Sequence, residues 1–311
     1  MKILISGATG FVGTNMINAL SNKFEFVRLT RPNCHTTDPN TICLEDLAKH
    51  DPHGFDAIIH LAGKAHDLSG DADIEAYKLA NTKFTTDLFD EFLTSPIRDF
   101  FYFSSVKAVA DSVEGVLTEQ VVPNPATAYG QSKQLAESYI LSRSVPDGKR
   151  VFILRPCMIH GPGNKGNLNL LYKIVAKGIP YPLAAFENRR SFLSIDNLCY
   201  IIERLITDPN ISGGIYNLSD DHPLSTNELI RILSKTAGFK ARLWKVNAKL
   251  IKGLAKVGDK LKFPLNSERL KKLTESYVVS NGKIKGALKI NNLPVSCEEG
   301  ISRTIQSFHT H

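Results

Sequence analysis

Cysteine is scarce in this chain of 311 residues, and it forms none of the patterns that staple a small fold or bind zinc. The five cysteines are scattered and make no C-x-x-C pair: Cys34, Cys43, Cys157, Cys199 and Cys297. These spacings exclude a disulfide framework and favour a reducing compartment. His50 and His53 stand close together, but no further ligand cluster accompanies them, so no metal is expected.

Long apolar runs are also missing. No run reaches the length of a bilayer span, and the chain begins in a predicted strand, Lys2–Ser6, instead of a charged leader with an apolar segment behind it. We therefore expect a cytoplasmic protein without membrane insertion. The formal net charge is +7, yet no nucleic-acid-binding module is recognisable, so nucleic acid is not an expected partner.

The basic residues cluster in two segments, Lys245–Lys262 and Arg269–Lys272. The first segment also carries apolar residues at helical spacing: Leu250, Ile251, Leu254, Val257 and Leu261. This combination is typical of an amphipathic helix with a solvated charged face.

The first half of the chain alternates short apolar runs with helical patterns, which indicates a parallel sheet covered on both faces. The predicted strands are Lys2–Ser6, Glu25–Thr30, Thr41–Leu44, Ala57–Leu61, Asp99–Ser104 and Val151–Arg155. The predicted helices of this half are Val12–Leu20, Ile74–Leu93 and Ala126–Leu141. The apolar faces of the last two are compatible with a homodimer.

After Arg155, loops rich in Gly and Pro alternate with helical patterns. These helices are predicted at Leu168–Lys177, Ile195–Thr207, Thr226–Ala237, Ala248–Val257 and Cys297–Phe308. We predict an α/β fold: a doubly wound parallel (Rossmann) sheet in residues 1–156, and a smaller, mostly helical C-terminal substrate lobe in residues 157–311. Some segments of that lobe are expected to return to the first domain.

A glycine-rich turn follows the first strand and opens the first helix. Such a turn lets the backbone approach a pyrophosphate, while the helix N-terminus presents free N–H groups to the phosphates. Its position between strand and helix is the context that identifies a dinucleotide loop. The spacing is G-x-x-G-x-x-G, and the residues expected to contact the cofactor are Gly7, Thr9, Gly10, Phe11, Val12 and Gly13.

The second predicted strand ends in Thr30 and Arg31. An NAD enzyme usually has Asp or Glu there to bind the ribose 2′-hydroxyl. A hydroxyl and a guanidinium suit a 2′-phosphate better, because Arg binds phosphate through paired N–H groups. NADP is therefore preferred over NAD as the cofactor.

Tyr129 and Lys133 lie four residues apart in a predicted helix, so both side chains share one face. A free phenol titrates near pH 10. A neighbouring ammonium favours the phenolate, and we expect it to lower the pKa of Tyr129 and make the phenol an acid–base catalyst.

These motifs resemble the extended short-chain dehydrogenases, the NAD-dependent epimerase/dehydratase family of nucleotide-sugar enzymes. The resemblance covers nearly the whole chain, and it is closest to bacterial UDP-sugar 4-ketoreductases and 4-epimerases. Besides the glycine-rich turn and the Tyr129/Lys133 pair, it includes Ile59–Gly63, Asn81-Thr82, Ser104-Ser105 and Leu154–Pro156.

The resemblance implies roles for further residues. In the family, the hydroxyl that binds the substrate oxygen lies 24 or 25 residues before the Tyr. Ser105 therefore takes this role, with Ser104 in reserve, and a backbone-capping role remains open for Ser105. Residues implied to line the cofactor are Leu61, Ala62, Gly63, Asn81 and Pro156, together with Tyr129 and Lys133, of which Lys133 also holds the cofactor ribose.

Arg189–Asn197 resembles the family segment R-x-F/Y-x-x-V-x-D, whose Arg binds the substrate diphosphate. This resemblance assigns the diphosphate to Arg190 and makes Asp196 the cap of the following helix. Asn167 is a candidate contact to the nucleotide or a helix cap. Arg269 is a weaker candidate for the diphosphate.

The expected reaction is hydride transfer at C4 of a nucleotide-linked sugar. Dehydratases of the family carry Asp and Glu directly after the catalytic hydroxyl, whereas Val106 and Lys107 stand there in this chain. Reduction of a UDP-4-keto sugar for surface polysaccharide is favoured because an acidic partner for the 2′-hydroxyl is missing. A UDP-sugar 4-epimerase that retains NAD, a non-catalytic dinucleotide sensor and a reductase of an unrelated ketone remain alternatives.

Overall fold

Short β-branched and aromatic runs form the strands of one central parallel sheet. The structure is a computed structural model that describes residues 1–31, 38, 40–47, 54–64, 77–164, 166–261 and 266–308. The strands are β1 (Lys2–Ser6), β2 (Glu25–Thr30), β3 (Thr41–Cys43), β4 (Ala57–His60), β5 (Asp99–Phe103), β6 (Val116–Leu117), β7 (Arg150–Pro156), β8 (Met158–His160), β9 (Phe192–Ser194), β10 (Gly214–Leu218) and β11 (Val278–Val279).

Ten α-helices are described, and the sequence predicts seven of them within a few residues. They are α1 (Phe11–Leu20), α2 (Phe84–Thr94), α3 (Ala128–Ser142), α4 (Asn167–Ala176), α5 (Ile195–Thr207), α6 (Thr226–Thr236), α7 (Ala248–Leu261), α8 (Ser267–Thr274), α9 (Gly282–Leu288) and α10 (Cys297–Gln306). A π-helical segment, Lys78–Lys83, precedes α2 where the sequence predicts one continuous helix.

The seven-stranded sheet has the order β10-β7-β5-β4-β1-β2-β3, and every neighbouring pair is parallel. This confirms the predicted doubly wound α/β class. The chain reverses direction across the sheet between β1 and β4, and ligands of such sheets bind at the carboxyl ends of the strands beside that point. The sequence does not predict β10, a segment from the C-terminal half that pairs with β7.

Alternate residues of the central strands enter the two cores that sandwich the sheet. In β5, Phe101 and Phe103 belong to the core on one face, whereas Phe100 and Tyr102 belong to the core on the other. This alternation follows from the period of two in a strand. A third cluster, with members on α4, α6 and α10, forms the core of the C-terminal lobe.

The cap of helix α5 differs from the expectation. Ser194 lies at the N-cap and its hydroxyl accepts a hydrogen bond from the Asn197 amide at 3.2 Å. Asp196 lies in the first turn and forms an exposed ion pair with Arg303. The prediction of Asp196 as the cap is therefore wrong, because the helix begins at Ile195, before the aspartate.

In the described ranges, no helix combines the length and the apolar character that crossing a membrane needs.

Asp99 is the first residue of β5, and its buried carboxylate forms ion pairs that hold the start of this strand. The carboxylate is fully buried and accepts hydrogen bonds from the guanidinium groups of Arg98 and Arg150 at 2.7 to 3.1 Å. Removing one partner of such a pair leaves buried charge uncompensated. We expect Asp99→Asn to lower the free energy of unfolding by about 3 kcal/mol in urea titrations.

The matched control is Asp87→Asn, because Asp87 pairs with Lys83 on the surface. That change is expected to cost less than about 1 kcal/mol. Equal losses for the two variants would contradict the role given to Asp99.

Candidate active site

The glycine-rich turn after β1 is shaped by contacts that leave no room for side chains. Gly7 has φ +73°, and a Cβ there would lie 2.7 Å from the Ala62 nitrogen at the end of β4. A Cβ on Gly13 would overlap the carbonyl oxygen of Gly7 and lie 2.8 Å from the Cα of Ala8. The turn therefore brings the start of α1 against the first strand, as a dinucleotide loop requires.

Helix α1 begins at Phe11, and Gly10 at its N-cap has no side chain with which to cap the first amides. Thr9 and Gly10 are exposed, and Phe11 and Val12 are partly exposed. An uncapped helix N-terminus carries a partial positive charge and is an anion site. The turn thus fits the pyrophosphate of a dinucleotide.

The end of β2 presents Thr30 and Arg31. The Thr30 hydroxyl donates to the Ile42 carbonyl at 3.4 Å, towards β3, and Arg31 is exposed. The assignment of these two residues to a 2′-phosphate stays a prediction.

Asn81 is fully buried and connects the segment after β4 to helix α3. Its amide oxygen accepts from the Lys64 amide at 2.6 Å, and its nitrogen donates to the Lys64 carbonyl and to Ser132 Oγ, both at 3.0 Å. A Cβ on Gly63 would lie 2.9 Å from Asn81 Oδ1 and 3.2 Å from Lys133 Nζ. Asn81 thus fixes the exposed backbone at Gly63 beside the Lys133 ammonium.

Lys133 carries a buried ammonium at the carboxyl end of β5. Its Nζ donates to the Phe103 carbonyl at 2.8 Å and lies 5.0 Å from the centre of the Tyr102 ring. Burial lowers the pKa of Lys133 to about 8, and the negative charge of Glu137 opposes this shift. The side chain therefore has a proton that it can lose near neutral pH.

Tyr129 lies one helical turn before Lys133, at the start of α3. Its phenol lies beside Ser105, and its ring meets the buried Tyr77 ring edge-on at 6.3 Å. Burial raises the pKa of Tyr129, and the interaction with Ser105 opposes this shift. The expectation of a lowered pKa is wrong here, because the effect of burial is larger than that of Ser105.

The two serines after β5 face different partners. Ser105 reaches Tyr129 and also accepts a hydrogen bond from the Lys107 amide at 3.2 Å, so it caps the backbone as well. Ser104 is buried and donates to the Glu137 carboxylate, which also forms a buried ion pair with Arg155. The hydroxyl beside the phenol is therefore that of Ser105.

A buried chain of hydrogen bonds runs beneath the site, and the sequence analysis missed it. Ser6 Oγ lies 2.6 Å from His60 Nδ1, and His60 Nε2 lies 2.8 Å from Thr85 Oγ1. Thr85 donates to the Asn81 carbonyl, so its oxygen accepts from Nε2–H and the Ser6 hydroxyl donates to Nδ1. Burial lowers the pKa of His60 to about 3, with the Lys133 charge acting in the same direction, so the ring is neutral.

Tyr277 is a second residue that the sequence analysis missed. Its hydroxyl donates to the carbonyls of Val106 and Ala110 at 3.2 and 2.7 Å, which holds the turn that carries Ser105. Lys107 Nζ lies 4.5 Å from the Tyr277 ring centre and donates to the Asp111 carbonyl at 2.8 Å. No local signal marks Tyr277, because it is more than 160 residues away in the chain.

Arg190 lies close enough to Lys107 for their charges to repel. Its guanidinium donates to the carbonyls of Lys272 and Glu275, at the end of α8, and burial lowers its pKa. Two adjacent cations on a partly buried surface suit a diphosphate. The assignment of Arg190 to the substrate remains a prediction.

The other expected substrate and cofactor residues are less well defined. Arg269 lies on α8, the helix whose end contacts Arg190. Pro156 is buried at the end of β7, and Asn167 is the first residue of α4. The Asn167 side chain, Cys34, His50 and His53 lie outside what the structure describes. Within the described ranges, no three His, Cys, Asp or Glu side chains converge as metal ligands would.

Gly13→Ala tests the tight turn. Its methyl group would collide with backbone atoms, which cannot move as a flexible side chain can. We expect a loss of stability of about 1–3 kcal/mol and weaker NAD binding by calorimetry. Gly286→Ala is the control, because nothing lies within 4 Å of its Cβ position. Wild-type NAD affinity in Gly13→Ala would contradict this assignment.

Burial of Lys133 makes stability depend on pH in a defined window. Its pKa is about 8 in the folded protein and about 10.4 in an unfolded chain, so between these values the unfolded state binds more protons. Stability attributable to this group therefore rises as pH increases from 8 to 10.4.

We expect the free energy of unfolding of the nucleotide-free protein, relative to Lys133→Met, to rise by up to about 3 kcal/mol across that window. Urea titrations at several pH values measure it. Lys235→Met, which removes a surface lysine, is the control and is expected to show no such rise. If the difference in free energy of unfolding between the wild type and Lys133→Met did not change with pH, the Lys133 ammonium would not be desolvated.

The chain is similar to known proteins of one family. The profile of the NAD dependent epimerase/dehydratase family matches residues 3–219. UDP-glucose 4-epimerase of Vibrio cholerae is 29% identical over 246 residues, covering 75% of each chain. The N-acetyl-alpha-D-glucosaminyl-diphospho-ditrans,octacis-undecaprenol 4-epimerase of Escherichia coli O157:H7 is 23% identical and covers 100% of this chain and 96% of that protein. A reductase also matches: GDP-6-deoxy-D-mannose reductase of Pseudomonas aeruginosa is 25% identical over 76% of this chain and 80% of that protein.

Solved structures share the fold. UDP-glucuronic acid 4-epimerase from Bacillus cereus, in complex with NAD, superposes with a TM-score of 0.74 at 19% identity and covers 100% of this chain and 99% of that chain. RMD from Pseudomonas aeruginosa, complexed with NADPH, gives a TM-score of 0.71 at 20% identity, with the same coverage.

Proposed function

The chain belongs to the NAD-dependent epimerase/dehydratase family, and from this premise we propose that it is a UDP-sugar 4-epimerase that works with a retained dinucleotide. One observation carries the proposal: Ser105 lies beside the Tyr129 phenol, and the buried Lys133 follows Tyr129 by one helical turn. This cluster lies at the carboxyl ends of the central strands, where the glycine-rich turn also lies.

The residues of the cleft fit a dinucleotide. The crowded glycines, the uncapped start of α1 and the backbone at Gly63 leave space and amides for a pyrophosphate and a ribose. A dinucleotide bound there would supply hydride transfer from and to a substrate carbon. Retained NAD is the cofactor that the epimerase reaction suggests. The side chains of Thr30 and Arg31, in contrast, suit the 2′-phosphate of NADP.

The chain itself supplies proton transfer and orientation. Tyr129, whose raised pKa keeps the phenol protonated at neutral pH, is the group that gives and takes the proton of the sugar hydroxyl. Ser105 fixes the same sugar oxygen, and Lys133 holds the ribose of the cofactor. Arg190 binds the diphosphate.

The relatives favour an epimerase over the reductase that the sequence analysis preferred. The two curated epimerases reported above act on a UDP-sugar and on a lipid-linked diphosphate sugar, and both are named as 4-epimerases. Reduction of a 4-keto sugar is the second candidate, supported by Thr30 and Arg31 and by the similar reductase of Pseudomonas aeruginosa. Dehydration is disfavoured, because Val106 and Lys107 offer no carboxylate after Ser105.

Purified protein incubated with UDP-glucose or UDP-N-acetylglucosamine, with no nucleotide added, tests the proposal. We expect each active substrate to reach an equilibrium with its C4 epimer, resolved by chromatography, and NAD to be released on denaturation. Tyr129→Phe is expected to lower kcat by about 10²–10⁴-fold, because the proton donor is gone. Tyr139→Phe, on the same helix as Tyr129, removes a hydroxyl bonded to Asp90 and is the control.

A protein that consumes NADPH with a UDP-4-keto sugar but forms no epimers would establish the reductase. A protein that binds NAD and turns over none of these substrates would be a sensor. Either result would overturn the epimerase proposal.

A further inference from the structure

Helix α7 has apolar side chains on two different sides. Ile251 and Ala255 are buried in a small cluster with Leu183 and Leu270. Leu250, Leu254 and Val257 are 57, 52 and 48% exposed. Spacings of four and three residues place these three on one stripe along the helix. The apolar period of the sequence thus divides into a packed side and an exposed side.

Basic residues lie along one side of the exposed stripe. Helix α7 contains four lysines and one aspartate, a net charge of +3, and Lys249, Lys252 and Lys256 are exposed. The carboxylate of Asp259 is bonded to the amide and hydroxyl of Ser267, at the start of α8. Trp244, shortly before the helix, is 58% exposed.

We propose that helix α7 docks the protein onto an anionic membrane surface. A helix with an exposed leucine and valine stripe, a lysine-rich face and an aromatic residue at its start has the composition of helices that lie in the bilayer interface. Lysines are attracted to anionic headgroups, and the apolar stripe beside them is removed from water. The opposite charges of the lysines and the headgroups therefore favour an anionic lipid surface as the binding partner of helix α7.

A second copy of the chain fits this surface less well. A symmetric pair would place the same patch against itself and bring two helices of charge +3 together. Like charges across an interface cost binding energy. An anionic lipid surface has no such penalty.

The docking surface lies beside the candidate substrate site. Helix α7 packs against α8 through Ile251 and Leu270. The carbonyls of Lys272 and Glu275, at the end of α8, hold the Arg190 guanidinium. Docking would therefore bring the diphosphate site close to the membrane. This consequence rests on the proposed function, whereas docking itself does not.

Sedimentation of the full chain with vesicles tests the proposal. We expect binding to vesicles of phosphatidylglycerol and phosphatidylcholine, at least tenfold weaker binding to pure phosphatidylcholine, and weaker binding in high salt. The triple variant Leu250→Glu, Leu254→Glu, Val257→Glu is expected to bind the anionic vesicles at least tenfold more weakly. Leu170→Glu, which changes an exposed leucine of α4, is expected to bind like the wild type.

A second triple variant separates the contribution of charge to binding from that of the apolar stripe. Lys249→Glu, Lys252→Glu, Lys256→Glu leaves the apolar stripe intact and is expected to lose the preference for anionic lipid. Every changed side chain is exposed, so the variants are expected to fold. Their melting temperatures check this. Turnover of a UDP-sugar in solution is measured in parallel, so a failure of the epimerase proposal is distinguishable from a failure of docking.

Absence of binding to anionic vesicles, or equal binding by the first triple variant, would overturn the proposal. A wild-type protein that binds no vesicles but is dimeric, and becomes monomeric in that variant, would assign the stripe to a second copy and would also overturn it.

Discussion

The site depends on the burial of one ammonium group. Lys133 is enclosed by the Tyr102 ring, the Phe103 carbonyl and the backbone at Gly63, and water cannot stabilise its charge there. A charge in such a place needs fixed partners or loses its proton. Much of the surrounding architecture can be understood as the means of holding this group next to the phenol and the cofactor cleft.

Neutral polar groups hold the walls of that enclosure. The chain from Ser6 through His60 and Thr85 to Asn81 joins β1, β4 and the helix that follows, and each of its members is buried. A charged imidazole would repel the ammonium, and burial keeps it neutral. On the other side lies the Glu137 carboxylate, which is paired with Arg155. Its negative charge keeps the pKa of Lys133 from falling further.

Local sequence signals predict much of this arrangement. Apolar runs locate six strands of the sheet because strands buried on both faces need continuous hydrophobic residues. The glycines before α1 and the spacing of Tyr129 and Lys133 are equally local, and the structure brings both to the carboxyl ends of the strands. Which serine lies beside the phenol needed the structure, since Ser104 bonds to Glu137 and Ser105 reaches Tyr129.

Properties set by distant parts of the chain escaped prediction. Strand β10 is defined by its pairing with β7, and Tyr277 acts on a turn far away in the sequence. The pKa of Tyr129 moves opposite to the expectation, because desolvation of the phenol outweighs the interaction with Ser105. The exposed stripe of α7 is a similar case, since periodicity cannot show which apolar side chains are packed.

A crystal structure with NAD and a UDP-sugar bound tests the central claim most directly. The account predicts Lys133 Nζ within hydrogen-bonding distance of the nicotinamide ribose, and both Tyr129 and Ser105 hydroxyls within about 3 Å of one sugar oxygen. A sugar bound out of reach of Tyr129, or a dinucleotide bound away from the turn at Gly7 to Gly13, would contradict it.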